Sequence, residues 1–190
     1  MLLVTPTSVG VAGYSRMVRD GVIVPVMQGV ALPRDIDLTE ALRRHVLASI
    51  APPGSQVTAL AALWAHGFAP LPHQIDVRMP RRAALRRDPH SIPVVAHAAR
   101  DAEASLGRPV ADASRAALDA LVWSPLDIAV PAVLCALDAG RVTTSELRTG
   151  SGGRDALALI DAALLERGGA VTAPLGTRQG RLEPVMRRAS

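Results

Sequence analysis

An α+β architecture is expected for this chain of 190 residues on three observations. Between Tyr14 and Leu32 the apolar period changes from helical to strand-like. The stretch Gln74-Ile-Asp-Val-Arg-Met79 alternates apolar and polar residues, the mark of a strand with one wet face. From Ser124 onward, helix-starting and helix-stopping residues recur at the spacing of short helices. Together they predict a small helix-and-ribbon head (residues 1–34), an α+β domain in which a small sheet is packed with helices (35–171), and a loosely held tail (172–190).

In the head, Met17 and Val18 stand three and four positions after Tyr14, the same-face spacing of a helix, which points Ser15, Arg16 and Arg19 outward. Gly21 stops that helix. Val22, Val24 and Val26 then alternate with Ile23 and Pro25, a tight turn follows with Gln28 at its tip, and Val30-Ala-Leu32 returns as a second strand. A helix followed directly by a ribbon is the end of a winged helix-turn-helix. The full unit has two helices before its recognition helix, which take roughly 25 to 30 residues. Only thirteen residues precede Tyr14, so a partial winged helix-turn-helix with a shortened reader is expected.

The next helix is expected from Asp37 as N-cap, with Glu40 completing a capping box, to about Ile50. Leu42, Val46 and Ile50 form its inner stripe, and Arg43 and Arg44 its wet side. Pro52-Pro-Gly54 ends it, and a short helix from Ala59 to Ala65 stops at Gly67. In the strand that follows, Ile75, Val77 and Met79 face one way and Gln74, Asp76 and Arg78 the other. Ile92–His97 is a second strand across a basic loop from Pro80 to His90, and Pro109–Ala111 a short third. Ser124-Pro-Leu-Asp127 starts a helix that runs to Gly140 and is kinked at Pro131. Thr143-Thr-Ser-Glu146 starts another, and Arg154–Arg167 forms the last.

Composition narrows the function classes. Aromatic residues number four, so the core is built from small side chains, as in closely packed helices. All 21 basic residues are Arg, which with abundant Ala, Pro and Gly reflects a GC-rich genome; the net charge of +4 is compatible with a nucleic-acid partner. Cys135 stands alone, which rules out an intramolecular disulfide and a thiolate metal site and fits a reducing cytoplasm. No apolar run approaches the roughly 20 residues of a membrane span, so no membrane partner is expected.

Two surfaces carry candidate chemistry. Ser15, Arg16 and Arg19 on the head helix, with Gln28 at the ribbon tip, are placed to meet a DNA groove or its phosphates. The run Arg78 to Arg87 holds Arg78, Arg81, Arg82, Arg86 and Arg87 with no acid, either a phosphate-binding loop of planar donor forks or a solvated hairpin loop. Arg115 and Asp119, four apart, read as an intrahelical ion pair, and His66 as a helix C-terminal residue suited to the dipole. His73 and Asp76 have the wrong parity for one strand face, and neither His90 nor His97 has an evident carboxylate partner, so no metal site or cofactor is expected. Gly150-Ser-Gly-Gly-Arg154 lacks the Lys-Ser/Thr of a phosphate loop. No catalytic constellation is present.

The segment Ser15-Arg-Met-Val-Arg-Asp-Gly-Val-Ile-Val-Pro-Val-Met-Gln-Gly-Val30 resembles the recognition helix and wing of the AbiEi-type antitoxins, winged-helix regulators of actinobacteria. Ala61-Ala-Leu-Trp-Ala-His-Gly67 resembles that family's small-residue helix ending in His-Gly. Val110-Ala-Asp-Ala-Ser-Arg-Ala-Ala-Leu-Asp119 resembles its segment with Arg and Asp four apart. Leu182-Glu-Pro-Val-Met-Arg187 resembles the opening of an endonuclease-like domain in longer relatives, whose catalytic acids would lie beyond Ser190, so nuclease activity is not expected. The resemblance implies a non-enzymatic regulator that binds double-stranded promoter DNA, represses its own operon and opposes a nucleotidyltransferase toxin. Its Ala-rich C-terminal helices would carry homodimer or toxin contacts. The alternative is a protein-interaction module that does not bind DNA.

Overall fold

Thr5 opens the first helix, α1 (Pro6–Val9): its hydroxyl accepts from the Ser8 amide while the Ser8 hydroxyl accepts from the Thr5 amide, with proline at the first helical position. The computed structural model to which this helix belongs describes residues 3–80, 92–98, 108–149 and 154–171, the last with side chains for 155–166. After one turn Gly10 ends α1, and α2 (Val11–Arg19) follows at once. Gly21, at φ +69°, then turns the chain where an L side chain would be strained.

Two antiparallel strands follow, β1 (Ile23–Met27) and β2 (Val30–Pro33), joined by Gln28-Gly29 with Gly29 at φ +76°. The register shifts between Pro25 and Met27, a bulge that proline tolerates because it has no amide to donate. Strict alternation therefore fails at the end of β1: Ile23 is buried and Val22 and Val24 are exposed, yet Val26 and Met27 are both buried. Val4 exchanges two backbone hydrogen bonds of 2.9 Å with Ala31, adding a one-residue third strand to the ribbon.

Helix α3 (Glu40–Ile50) is capped by Thr39 rather than by Asp37; the Thr39 hydroxyl accepts from the Leu42 amide at 3.3 Å. It buries Leu42, Val46 and Leu47. Arg43 and Arg44 are half-buried rather than wet, the Arg43 guanidinium lying 5.9 Å from the Trp64 ring centroid. An unforeseen strand, β3 (Gln56–Thr58), runs straight into α4 (Ala59–Ala65) through Ala59, a buried non-glycine residue at φ +52°.

The second sheet has the order β3-β4-β5, with β4 (Ile75–Met79) antiparallel to β3 and parallel to β5 (Val94–Ala98). Val110 extends it as the expected short third segment, its neighbours Pro109 and Ala111 bonded to Val57 at 2.8 Å. The helix over residues 113–123 covers the polar face of β4, which leaves it no wet face, and Asp76 and Arg78 are buried at 3% and 5% exposure. This corrects the expected half-exposed strand. The alternation of β4 is genuine, but its polar side is covered by another polar layer instead of water.

Helices α5 (Ala113–Trp123), α6 (Leu126–Asp138), α7 (Thr144–Thr149) and α8 (Arg154–Val171) complete the described chain. Asp112 caps α5 by accepting from the Arg115 amide at 2.8 Å. Helix α6 begins one residue later than Ser124-Pro125 predicted and continues through Pro131. Thr143 and Glu146 cap α7 reciprocally, the Glu146 carboxylate accepting from the Thr143 amide at 2.7 Å. The core forms where α4 meets α5, through buried Ala61, Ala62 and Ala65 on one side and Ala113, Ala116, Ala117 and Ala120 on the other. Methyl side chains let the two backbones approach closely, the packing that the scarcity of aromatics required.

Candidate nucleic-acid interface

Helix α2 is amphipathic in the sense the sequence predicted. Tyr14, Met17 and Val18 are half-buried, and Ser15, Arg16 and Arg19 are exposed. The helix carries no acid. Arg19 Nε lies 3.5 Å from Asp20 Oδ1, a solvated pair that leaves the guanidinium available. Arg16 has no acidic partner among the described residues. Gln28 is exposed at the ribbon turn, so the four residues of the expected reader share the head, three on its helix and one at its tip.

Between α2 and the ribbon runs an open groove of about 540 Å³, lined by Tyr14, Val18, Pro25, Val26, Met27 and Leu71 together with Ser15, Arg19, Gln28 and Gly29. Burial raises the Tyr14 hydroxyl above its ordinary value of 10.0. Neither α1 nor α2 buries a residue completely, and Val11 stays 70% exposed.

The basic-loop surface is corrected at its first member. Arg78 does not face solvent: its guanidinium lies inside, with Nη1 3.6 Å from Asp119 Oδ2. Arg81, Arg82, Arg86 and Arg87 lie outside the described residues.

Arg78 belongs to a polar layer that the sequence did not reveal. Strand register pairs Gln56 with Arg78, Thr58 with Asp76, and Arg78 with His97, so one face of the sheet is polar across all three strands. Helix α5 covers that face. The Thr58 hydroxyl donates to Asp119 Oδ2 at 2.6 Å, and Arg115 Nε approaches Asp119 Oδ1 to 3.3 Å, so the expected i,i+4 pair is present but serves to fix α5 on the sheet. His97 Nε2 lies 2.8 Å from Asp76 Oδ1, the carboxylate partner that sequence spacing failed to assign. The His97 ring stacks on Trp123 with centroids 3.8 Å apart and planes within 2°. Burial pushes the Asp119 carboxyl above its ordinary 3.8, outweighing the Thr58 hydrogen bond and the Arg115 and His97 charges that favour ionisation. A buried polar cluster of this kind orients helix and sheet.

His66 is also more than a dipole partner. Its side chain is buried at the end of α4, with Nδ1 3.1 Å from Glu40 Oε1 and Nε2 2.9 Å from the Ala111 carbonyl. Among the described residues, no group of three His, Cys, Asp or Glu is gathered to hold a metal ion, and no helix is long and apolar enough to cross a membrane. No protein-family model matches the chain, and no curated protein matches it.

Proposed function

We propose that the chain is a non-enzymatic, antitoxin-like transcriptional regulator that binds promoter DNA through α2 and the ribbon, represses its own operon and opposes a nucleotidyltransferase toxin. The observation that carries the DNA reading is α2 itself, a helix free of acids that turns Ser15, Arg16 and Arg19 to solvent and leads directly into a ribbon with Gln28 at its exposed turn. Guanidinium groups so placed contact phosphates or guanine edges, and the ribbon tip reaches the adjacent backbone. The antitoxin role rests on the resemblance of Ser15–Val30, Ala61–Gly67 and Val110–Asp119 to that family.

A second reading is favoured by a specific observation. The apolar residues Val9, Val11, Val22 and Val24 of the head are exposed. A surface of this composition suits a protein partner.

Fluorescence anisotropy of the chain with the duplex upstream of its own gene and with a scrambled duplex, across a salt series, separates the two. Preference for the upstream duplex is expected. Arg16→Ala/Arg19→Ala should abolish it and lower the slope of log affinity against log salt by about 2, one for each phosphate contact. Equal, steeply salt-dependent binding to both duplexes would leave only a polyanion-binding surface, and no binding at moderate salt would favour the protein-interaction module.

A further inference from the structure

The groove between α2 and the ribbon joins two chemistries. Val18 of α2, Val26 and Met27 of β1, and Leu71 give it an apolar floor, and Leu71 stays 44% exposed there. Ser15, Arg19 and Gln28 line it as well, together with the Tyr14 phenol. Among the described residues no acid lines it. Its volume of about 540 Å³ is that of a small-molecule site.

The polar side supplies donors and one positive charge. Arg19 carries a guanidinium fork, whose geometry matches a carboxylate. Its contact with Asp20, 3.5 Å at Nε, joins two solvated side chains and holds the fork weakly. Burial raises the Tyr14 phenol above 10.0, so it keeps its proton at neutral pH and can donate. Ser15 adds a hydroxyl and Gln28 an amide NH2. An apolar floor beside cationic, donor-rich residues is complementary to a molecule with an apolar body and a single anionic head.

An added peptide strand fits this place less well. Val4 takes both backbone groups of Ala31, at 2.9 Å each, so Pro25, the register partner of Ala31, turns its own backbone to the outer edge of β1. Proline has no amide to give an incoming strand, and the bulge after it breaks the regular ladder.

We propose that this groove binds a small monocarboxylate with an apolar body, its carboxylate held by Arg19 and its body laid over Val18, Val26 and Leu71. Binding there does not depend on the DNA reading. One consequence does. Ser15, Arg19 and Gln28 are shared with the proposed DNA surface, so the bound carboxylate and a duplex phosphate compete for the same donors.

Octanoate is the probe, with octanol as the uncharged body of the same length. Tyr14 is the chain's only tyrosine, so its ring NMR signals report the groove directly. Millimolar octanoate added to the intact chain should shift them saturably, together with the methyl signals of Val18, Met27 and Leu71, while those of buried Ile160 stay still. Octanol should bind about tenfold more weakly, as should octanoate to Arg19→Gln, since one charge-assisted contact separates each pair. Leu71→Ala should weaken both probes. Equal affinity for octanoate and octanol, unchanged octanoate affinity in Arg19→Gln, or no saturable shift at Tyr14 would overturn the proposal. The wild-type comparison of the two probes decides alone should a variant fail to fold. Fluorescence anisotropy at matched ionic strength then tests the consequence: octanoate should loosen the upstream duplex from the wild type. Unchanged duplex affinity with the groove occupied would refute the shared donors, and absence of duplex binding would refute the DNA reading while the octanoate result stands.

Discussion

At the scale of single residues, the polar layer under α5 concentrates the largest expected effects. Asp119 receives Thr58, Arg78 and Arg115, and truncating it leaves the buried Thr58 hydroxyl without its acceptor. Asp119→Ala should therefore cost about 1–3 kcal/mol in urea unfolding, whereas Arg115→Ala, which removes a partly exposed partner, should cost about 1 kcal/mol or less. The acid limb of the stability profile follows from two carboxyls of opposite sign. Glu40, held below its ordinary 4.5, contributes stability above that value that is lost as pH falls through its folded value. Asp119, raised above 3.8, contributes in the other sense, most strongly below that value and fading as pH rises through its folded value. Acid titration of stability should therefore be flatter in Glu40→Gln and steeper in Asp119→Asn than in the wild type. Sequence exposed the Arg115–Asp119 spacing but not its other partners, since Thr58 and Arg78 reach Asp119 only after the sheet has formed. His97 and Asp76 are in the same position, 21 residues apart and joined by strand register.

At the scale of elements, local signals worked where the chain solves its own boundary problem. The α4 span and the reciprocal cap at Thr143-Glu146 match their residues because caps and stops act within one turn. Strand β3 was missed because three residues leave no period to read, and its pairing with β4 is a tertiary event. Its junction with α4 is the strained element of the fold. Ala59 sits at φ +52° with its methyl group buried, so Ala59→Gly should change stability by less than about 1 kcal/mol as relieved strain offsets the lost methyl. Ala59→Val, stiff at its branched carbon, should cost about 2 kcal/mol or more in the same unfolding assay. Strand β5 is held to α5 by the His97–Trp123 stack. Hydrogen exchange should show β5 amides opening faster in Trp123→Ala, with β3 amides much less affected.

At the scale of the whole molecule, α2 buries no residue and turns its cations to solvent, while Asp76, Arg78 and Asp119 are enclosed between the second sheet and α5. The reader reading and the interaction reading diverge on that contrast, because exposed Arg16 and Arg19 serve the first and exposed Val9, Val11, Val22 and Val24 serve the second. The salt series decides between them, since phosphate contacts release counterions and apolar contacts do not. The amino-acid sequence by itself determined the α+β class, the helix-then-ribbon head, the small-residue core and the outward side of α2, each of which depends on period, capping or residue size within a few positions. Tertiary structure alone decided that β4 is central, that Arg78 faces inward instead of toward phosphate, and that Asp76, His97, Glu40, His66 and Arg141 find their partners. Local patterns report which side of an element is polar. Whether that polar side meets water or another polar layer depends on which distant segments pack against it, and that is set by the assembled fold.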